Sequence, residues 1–179
     1  HHVGCEQVGR SMDSLDRRTL GRNIRQARHR LGLTQEQMAE RINMTPEVYG
    51  RMERGNLVPR LERFVVICRV LGETPNRLIS SREPATADEE TSEAPDPAEV
   101  PIEDLQRRLG ANMREARKRL GLTQVEMAER IRMPVDLYGR MERGETLPRL
   151  DRFVTICQVL GEMSDQLLGL APPTADKPR

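Results

Sequence analysis

The chain contains one stretch twice. Residues 31–55 read LGLTQEQMAERINMTPEVYGRMERG, and residues 120–144 read LGLTQVEMAERIRMPVDLYGRMERG. The second copy follows the first at a constant shift of about 89 positions, and about 38 of roughly 60 positions agree between 20–79 and 109–168. No insertion or deletion interrupts the match. A unit this short, repeated without gaps, means that one small module folds twice rather than that one large core forms.

Each copy carries the local signals of two helices and a tight turn. Thr34 precedes Gln37 by three residues, as Thr123 precedes Glu126; this is capping-box spacing, with Leu33 and Met38 (Leu122 and Met127) at staple spacing around it. A second helix is predicted to open at Thr45-Pro46-Glu47, a cap followed by a first-turn proline and an acid that suits the helix dipole, and to stop at Gly55. The second copy has Met133-Pro134-Val135-Asp136 there, without an obvious capping side chain. Two helices joined so closely predict a helix-turn-helix. Before the pair, Leu20, Ile24, Ala27 and Leu31 share one face of a helix. After it, Leu61, Phe64, Val65, Cys68 and Leu71 recur at helical spacing, and Thr74-Pro75 opens a short fifth helix.

The expected organisation is all-α, with two tandem five-helix domains. Residues 17–80 and 103–170 are the modules. Residues 1–16 read as a disordered tail beginning with a tag remnant, 81–102 as an acidic Pro-rich disordered linker, and 171–179 as a disordered tail. Aromatic residues make up only 2% of the chain, so the cores must be aliphatic. The formal net charge of +1 hides a segregation. Up to Arg82 the chain carries about +6, from Glu83 to Asp104 there are about nine acids and no base, and the remainder carries about +4.

Several classes are disfavoured. No apolar run approaches the ~18 residues of a membrane span. Cys68 and Cys157 are repeat equivalents on an apolar face and read as small buried hydrophobes, which suits a reducing cytoplasm. No Cys/His spacing suggests a metal, and no cofactor is implied. No Ser/His/Asp or Cys/His set and no phosphate loop supports an enzyme. His29 has Lys118 as its repeat equivalent, which marks a surface cation rather than a catalyst.

With LGLTQEQMAERI, YGRMERG and the Pro-Arg start of helix 4 in each copy, the module resembles the lambda-repressor-like (XRE-type) helix-turn-helix domain. The resemblance covers about two-thirds of the chain. It implies a bacterial or phage-like, sequence-specific transcription regulator that binds double-stranded DNA. In such a module the second helix of the pair enters the major groove. Here it presents Glu47, Gly50 and Arg51, and in the second copy Asp136, Gly139 and Arg140. Arg51 and Arg140 are the leading base readers, since a guanidinium pairs bidentately with guanine O6 and N7. Gly50 and Gly139 each cost about 1 kcal/mol of helix stability, which suggests close approach of the backbone to DNA.

The resemblance assigns Gln35 and Gln124 to a backbone phosphate. Arg54, Asn56 and Arg60, with Arg143 and Arg149, are candidates for phosphate or minor groove. It also pairs Arg28 with Glu53 and Arg117 with Glu142 as structural ions. Glu47 and Asp136 depart from the family, since carboxylates repel phosphate, and the two reading faces differ at Thr45/Pro134 and Pro46/Val135; weaker non-specific binding and related but unequal half-site preferences are therefore expected. Two modules on one chain allow an intramolecular pseudo-dimer or a homodimer. The alternative function is a protein-interaction regulator, in which one or both modules bind a protein partner through the acidic reading helices.

Overall fold

The structure, a computed structural model, describes residues 15–80 and 101–170. The expected disorder at 1–14, 81–100 and 171–179 lies outside the described residues. The first module comprises α1 (Arg17–Arg30), α2 (Gln35–Arg41), α3 (Pro46–Glu53), α4 (Leu61–Leu71) and α5 (Pro75–Ile79). The second comprises α6 (Ile102–Arg119), α7 (Gln124–Arg130), α8 (Val135–Glu142), α9 (Leu150–Leu160) and α10 (Ser164–Leu167). The chain is all-α, two tandem five-helix modules, with no strand among the described residues.

The helix starts follow from side chains that satisfy the first free N–H groups. Thr34 and Thr123 close full capping boxes with Gln37 and Glu126. Thr45 accepts from Val48 N at 3.4 Å. Its equivalent, Pro134, offers no such bond, yet α8 begins at the residue matching the start of α3. Packing of Tyr138 and Met141, both buried, holds α8 in place of a cap. Asp16, which the apolar pattern leaves in the tail, caps α1: Oδ1 accepts from Arg18 N at 3.0 Å and Oδ2 from the Thr19 hydroxyl at 2.5 Å. The Thr19 bond, then the Arg18 N–H, hold the Asp16 carboxyl below its usual range. Leu15 beside it is buried.

Each core gathers the aliphatic face of every helix around one tyrosine and one phenylalanine. Leu20, Ile24, Met38, Tyr49, Met52, Leu61 and Phe64 fill the first, and the repeat equivalents Leu109, Met113, Met127, Tyr138, Met141, Leu150 and Phe153 fill the second. Gly21 lets α1 lie directly on the end of α3: a Cβ there would sit 2.6 Å from both Met52 O and Glu53 O. Gly110 does the same under Met141 O and Glu142 O, at 2.6 and 2.7 Å. Cys68 and Cys157 are buried free thiols, and burial pushes Cys157 up to about 12 and Cys68 well above the ordinary value.

The modules meet along α4 against α9 and α5 against α10. Arg60 and Arg149, just before α4 and α9, form an antiparallel backbone bridge. Asn76 N donates to Asp165 Oδ1 at 2.8 Å. Each of these pairs joins equivalent positions of the two copies, the signature of a local twofold axis. Burial pushes the Asp165 carboxyl up, partly offset by hydrogen bonds from the Asn76 N–H and Thr74. Among the described residues, no helix is long and apolar enough to cross a membrane.

Candidate nucleic-acid interface

One buried ion pair sets the angle of α3. Arg28 on α1 donates through Nε to Glu53 Oε1 at 2.7 Å and through Nη2 to Oε2 at 3.1 Å. Its Nη1 donates to Leu33 O at 2.6 Å, and Gln35 Nε2 donates to Glu53 Oε2 at 2.6 Å. The Glu53 carboxylate thus ties α1, the start of α2 and the end of α3, and Arg28 holds the turn after α1 through Leu33 O. Arg117, Glu142, Leu122 and Gln124 repeat the arrangement at 2.6 to 3.0 Å.

Burial acts to raise the Glu53 and Glu142 pKa values, but bonds from Arg28 and Gln35, and from Arg117 and Gln124, overcome it and hold both below the ordinary 4.5. A carboxyl depressed in the folded chain contributes stability that is complete above its unfolded value and lost as pH falls through the folded one. Helix content followed by far-ultraviolet circular dichroism is therefore expected to fall on acidification below 4.5. The Glu53→Gln/Glu142→Gln variant, less stable at neutral pH, should show a flatter acid limb. An unchanged acid limb would assign the transition to other carboxyls.

The inward turn of Gln35 also accounts for Gly50. A Cβ on Gly50 would lie 3.0 Å from Arg54 Nη1 and 3.3 Å from Gln35 Oε1. Gly139 is flanked in the same way by Arg143 Nη1 at 3.2 Å and Gln124 Oε1 at 3.6 Å. Both glycines are buried. Their missing side chains leave room for this chain's own amide and guanidinium. Gln35 and Gln124, assigned to a phosphate by resemblance, have their amide N–H groups turned to Glu53 and Glu142.

The remaining candidates lie on the surface. Glu47 and Arg51 are exposed on α3, as are Asp136 and Arg140 on α8. Arg54, Asn56 and Arg60 are exposed along the loop to α4, and Arg143 and Arg149 along the loop to α9. The bridge between Arg60 and Arg149 brings these two cations together at the junction of the modules. Val135, 44% exposed, stands beside Asp136.

No local sequence pattern marks Glu145, the equivalent of Asn56. Glu145 takes Arg143 in a two-point pair, at 2.5 and 3.3 Å, and lies 3.5 Å from Arg140 Nε. Arg149 also sits 3.6 Å from Asp151. Asn23 and Asn112 were likewise unremarked; each donates to carbonyls of its module's fifth helix, Asn23 to Leu78 O at 2.9 Å and Asn112 to Leu167 O at 3.0 Å.

A family model described as a helix-turn-helix domain matches residues 19–78 and again 108–169. The chain belongs to that family. Its two helix-turn-helix pairs are α2–α3 and α7–α8. Similar solved structures include two of the clp gene regulator ClgR from Corynebacterium glutamicum. Both are 29% identical with a TM-score of 0.36, covering 37% of this chain and 70% and 85% of theirs. Another is the hypothetical transcription factor NHTF from Neisseria, 31% identical with a TM-score of 0.36, covering 42% of this chain and 84% of that one. A search of the curated proteins finds no match.

Proposed function

We propose that the chain is a sequence-specific DNA-binding transcription regulator that reads two half-sites in the major groove with α3 and α8. The observation that carries this reading is the antiparallel bridge between Arg60 and Arg149. It pairs two helix-turn-helix modules about a local twofold, the symmetry that matches a pseudo-palindromic duplex with half-sites about 34 Å apart. On this reading Arg51 and Arg140 pair with guanine edges, Arg54 and Arg143 with phosphates, and Arg60 and Arg149 serve the minor groove between the half-sites. One chain then carries two reading heads, because its modules pack on each other through α4 with α9 and α5 with α10.

The test is titration of the full chain against duplex recovered by selection from a random pool. One chain should bind per operator, without a concentration-dependent dimerisation step, and log affinity should fall linearly with log salt. Arg51→Ala and Arg140→Ala should each relax preference at one guanine by about 1–3 kcal/mol, with folding intact. Failure to form a salt-dependent complex with any duplex would defeat the reading. It would favour the alternative, a protein partner docked on the same helices, which the exposed Val135 beside Asp136 supports.

A further inference from the structure

We propose that Glu145 mutes the second reading head, so that the chain reads an asymmetric operator with a strong half-site under α3 and a weak one under α8. This inference rests on the DNA-binding reading above and names what sets its specificity. The backbone at the two positions is the same: Asn56 N donates to Arg51 O at 2.9 Å, and Glu145 N to Arg140 O at 3.0 Å. Only the side chain differs. Among the described residues neither Arg51 nor Arg54 is in an ion pair, whereas Glu145 bridges both equivalents, Arg143 at 2.5 Å and Arg140 at 3.5 Å.

The consequence follows from charge and geometry. To reach a phosphate, Arg143 must break its two-point pair with Glu145, and to reach a guanine Arg140 must leave the same carboxylate 3.5 Å away. The released carboxylate then stands unpaired next to the DNA backbone, where it repels phosphate. Asp136 on the same helix adds a second negative charge near Arg143. In the first module the same loop offers Arg54 and a neutral Asn56 amide, which can itself donate to a phosphate oxygen. The first module therefore anchors the complex, and the second contributes discrimination at lower affinity. Glu145 is a specificity-determining residue of the interface: it sets how unequal the two halves are.

Operator variants with either half-site scrambled, measured at several salt concentrations, test this. For the wild type, scrambling the half-site under α3 should weaken binding by at least tenfold more than scrambling the other. Glu145→Asn should tighten binding about tenfold, steepen the log–log salt slope by about one, and bring the two scrambling penalties together. Asn56→Glu should do the reverse, weakening binding and flattening the slope. The Glu145 side chain is 45% exposed, so thermal unfolding of Glu145→Asn should match the wild type and exclude a folding effect. If Glu145→Asn leaves affinity, slope and scrambling penalties unchanged while Arg51→Ala still weakens operator binding, this inference falls and the DNA-binding reading stands. If no duplex is bound with salt dependence, both fall together.

Discussion

Glu53→Ala is expected to destabilise the first module by about 3–5 kcal/mol, because it leaves the Arg28 guanidinium buried without its counter-charge. Arg28 is 5% exposed and would keep the bond to Leu33 O and a 3.4 Å contact with His29 Nε2, neither of them a counter-charge. Gln35 would lose its partner as well, and an orphaned amide adds to the penalty. A module of about 60 residues has a total stability of roughly 3–9 kcal/mol, so most of the margin disappears. Calorimetry of the full chain should show the first module's transition falling by more than about 10 °C. The second module, with Glu142 intact, provides the comparison. Arg28→Met/Glu53→Leu should recover most of the loss, since an apolar pair of similar volume avoids desolvating two ions. If the double variant is as unstable as the single one, the pair is doing more than neutralising itself, and its hold on Leu33 and Gln35 is the larger part of its role.

How far the sequence showed this architecture depended on the range of the interaction. The helices, caps and aliphatic faces were legible because periodicity and capping are local: Thr34 with Gln37 announces its own helix. The repeat told that everything happens twice. What was not legible was set by which residues meet across the fold. The Gln35 amide that lies beside Gly50 comes from another helix. Asp16 looked like tail because no apolar period includes it, though its carboxylate starts α1. Glu145 is a single acid in a loop, and nothing local says that it holds two arginines of the reading surface. Comparing the copies column by column would have raised it, since Asn56 is neutral at the equivalent place. The pairing of modules through Arg60 and Arg149 could not be read from one copy, because an isolated copy has no partner to show.

Gly21→Ala is the second large effect, and it separates two glycines that look alike in the sequence. A methyl group at Gly21 would lie 2.6 Å from two backbone oxygens of α3, Met52 O and Glu53 O. Backbone cannot turn aside as a side chain does, so α1 and α3 must separate. Overpacking of this kind costs about 1–3 kcal/mol, more where the elements are rigid, against a helix-propensity gain of about 1 kcal/mol. At Gly50 the neighbours are the ends of Arg54 and Gln35, which can move. Gly50→Ala should therefore stay within about 1 kcal/mol of the wild type in stability. The functional consequence of Gly21→Ala exceeds the stability change, because α3 is displaced from the Arg28–Glu53 anchor that aims it. A chain with one working head loses the effective-concentration advantage of the second, a factor of about 10²–10⁴ in operator affinity. Gly110→Ala should disturb the second module by the same geometry, yet weaken binding less if that head is already muted by Glu145. Equal losses from the two glycine variants would argue for equivalent heads. An unchanged melting profile for Gly21→Ala would mean that the two helices do not approach as closely in solution as their carbonyls imply.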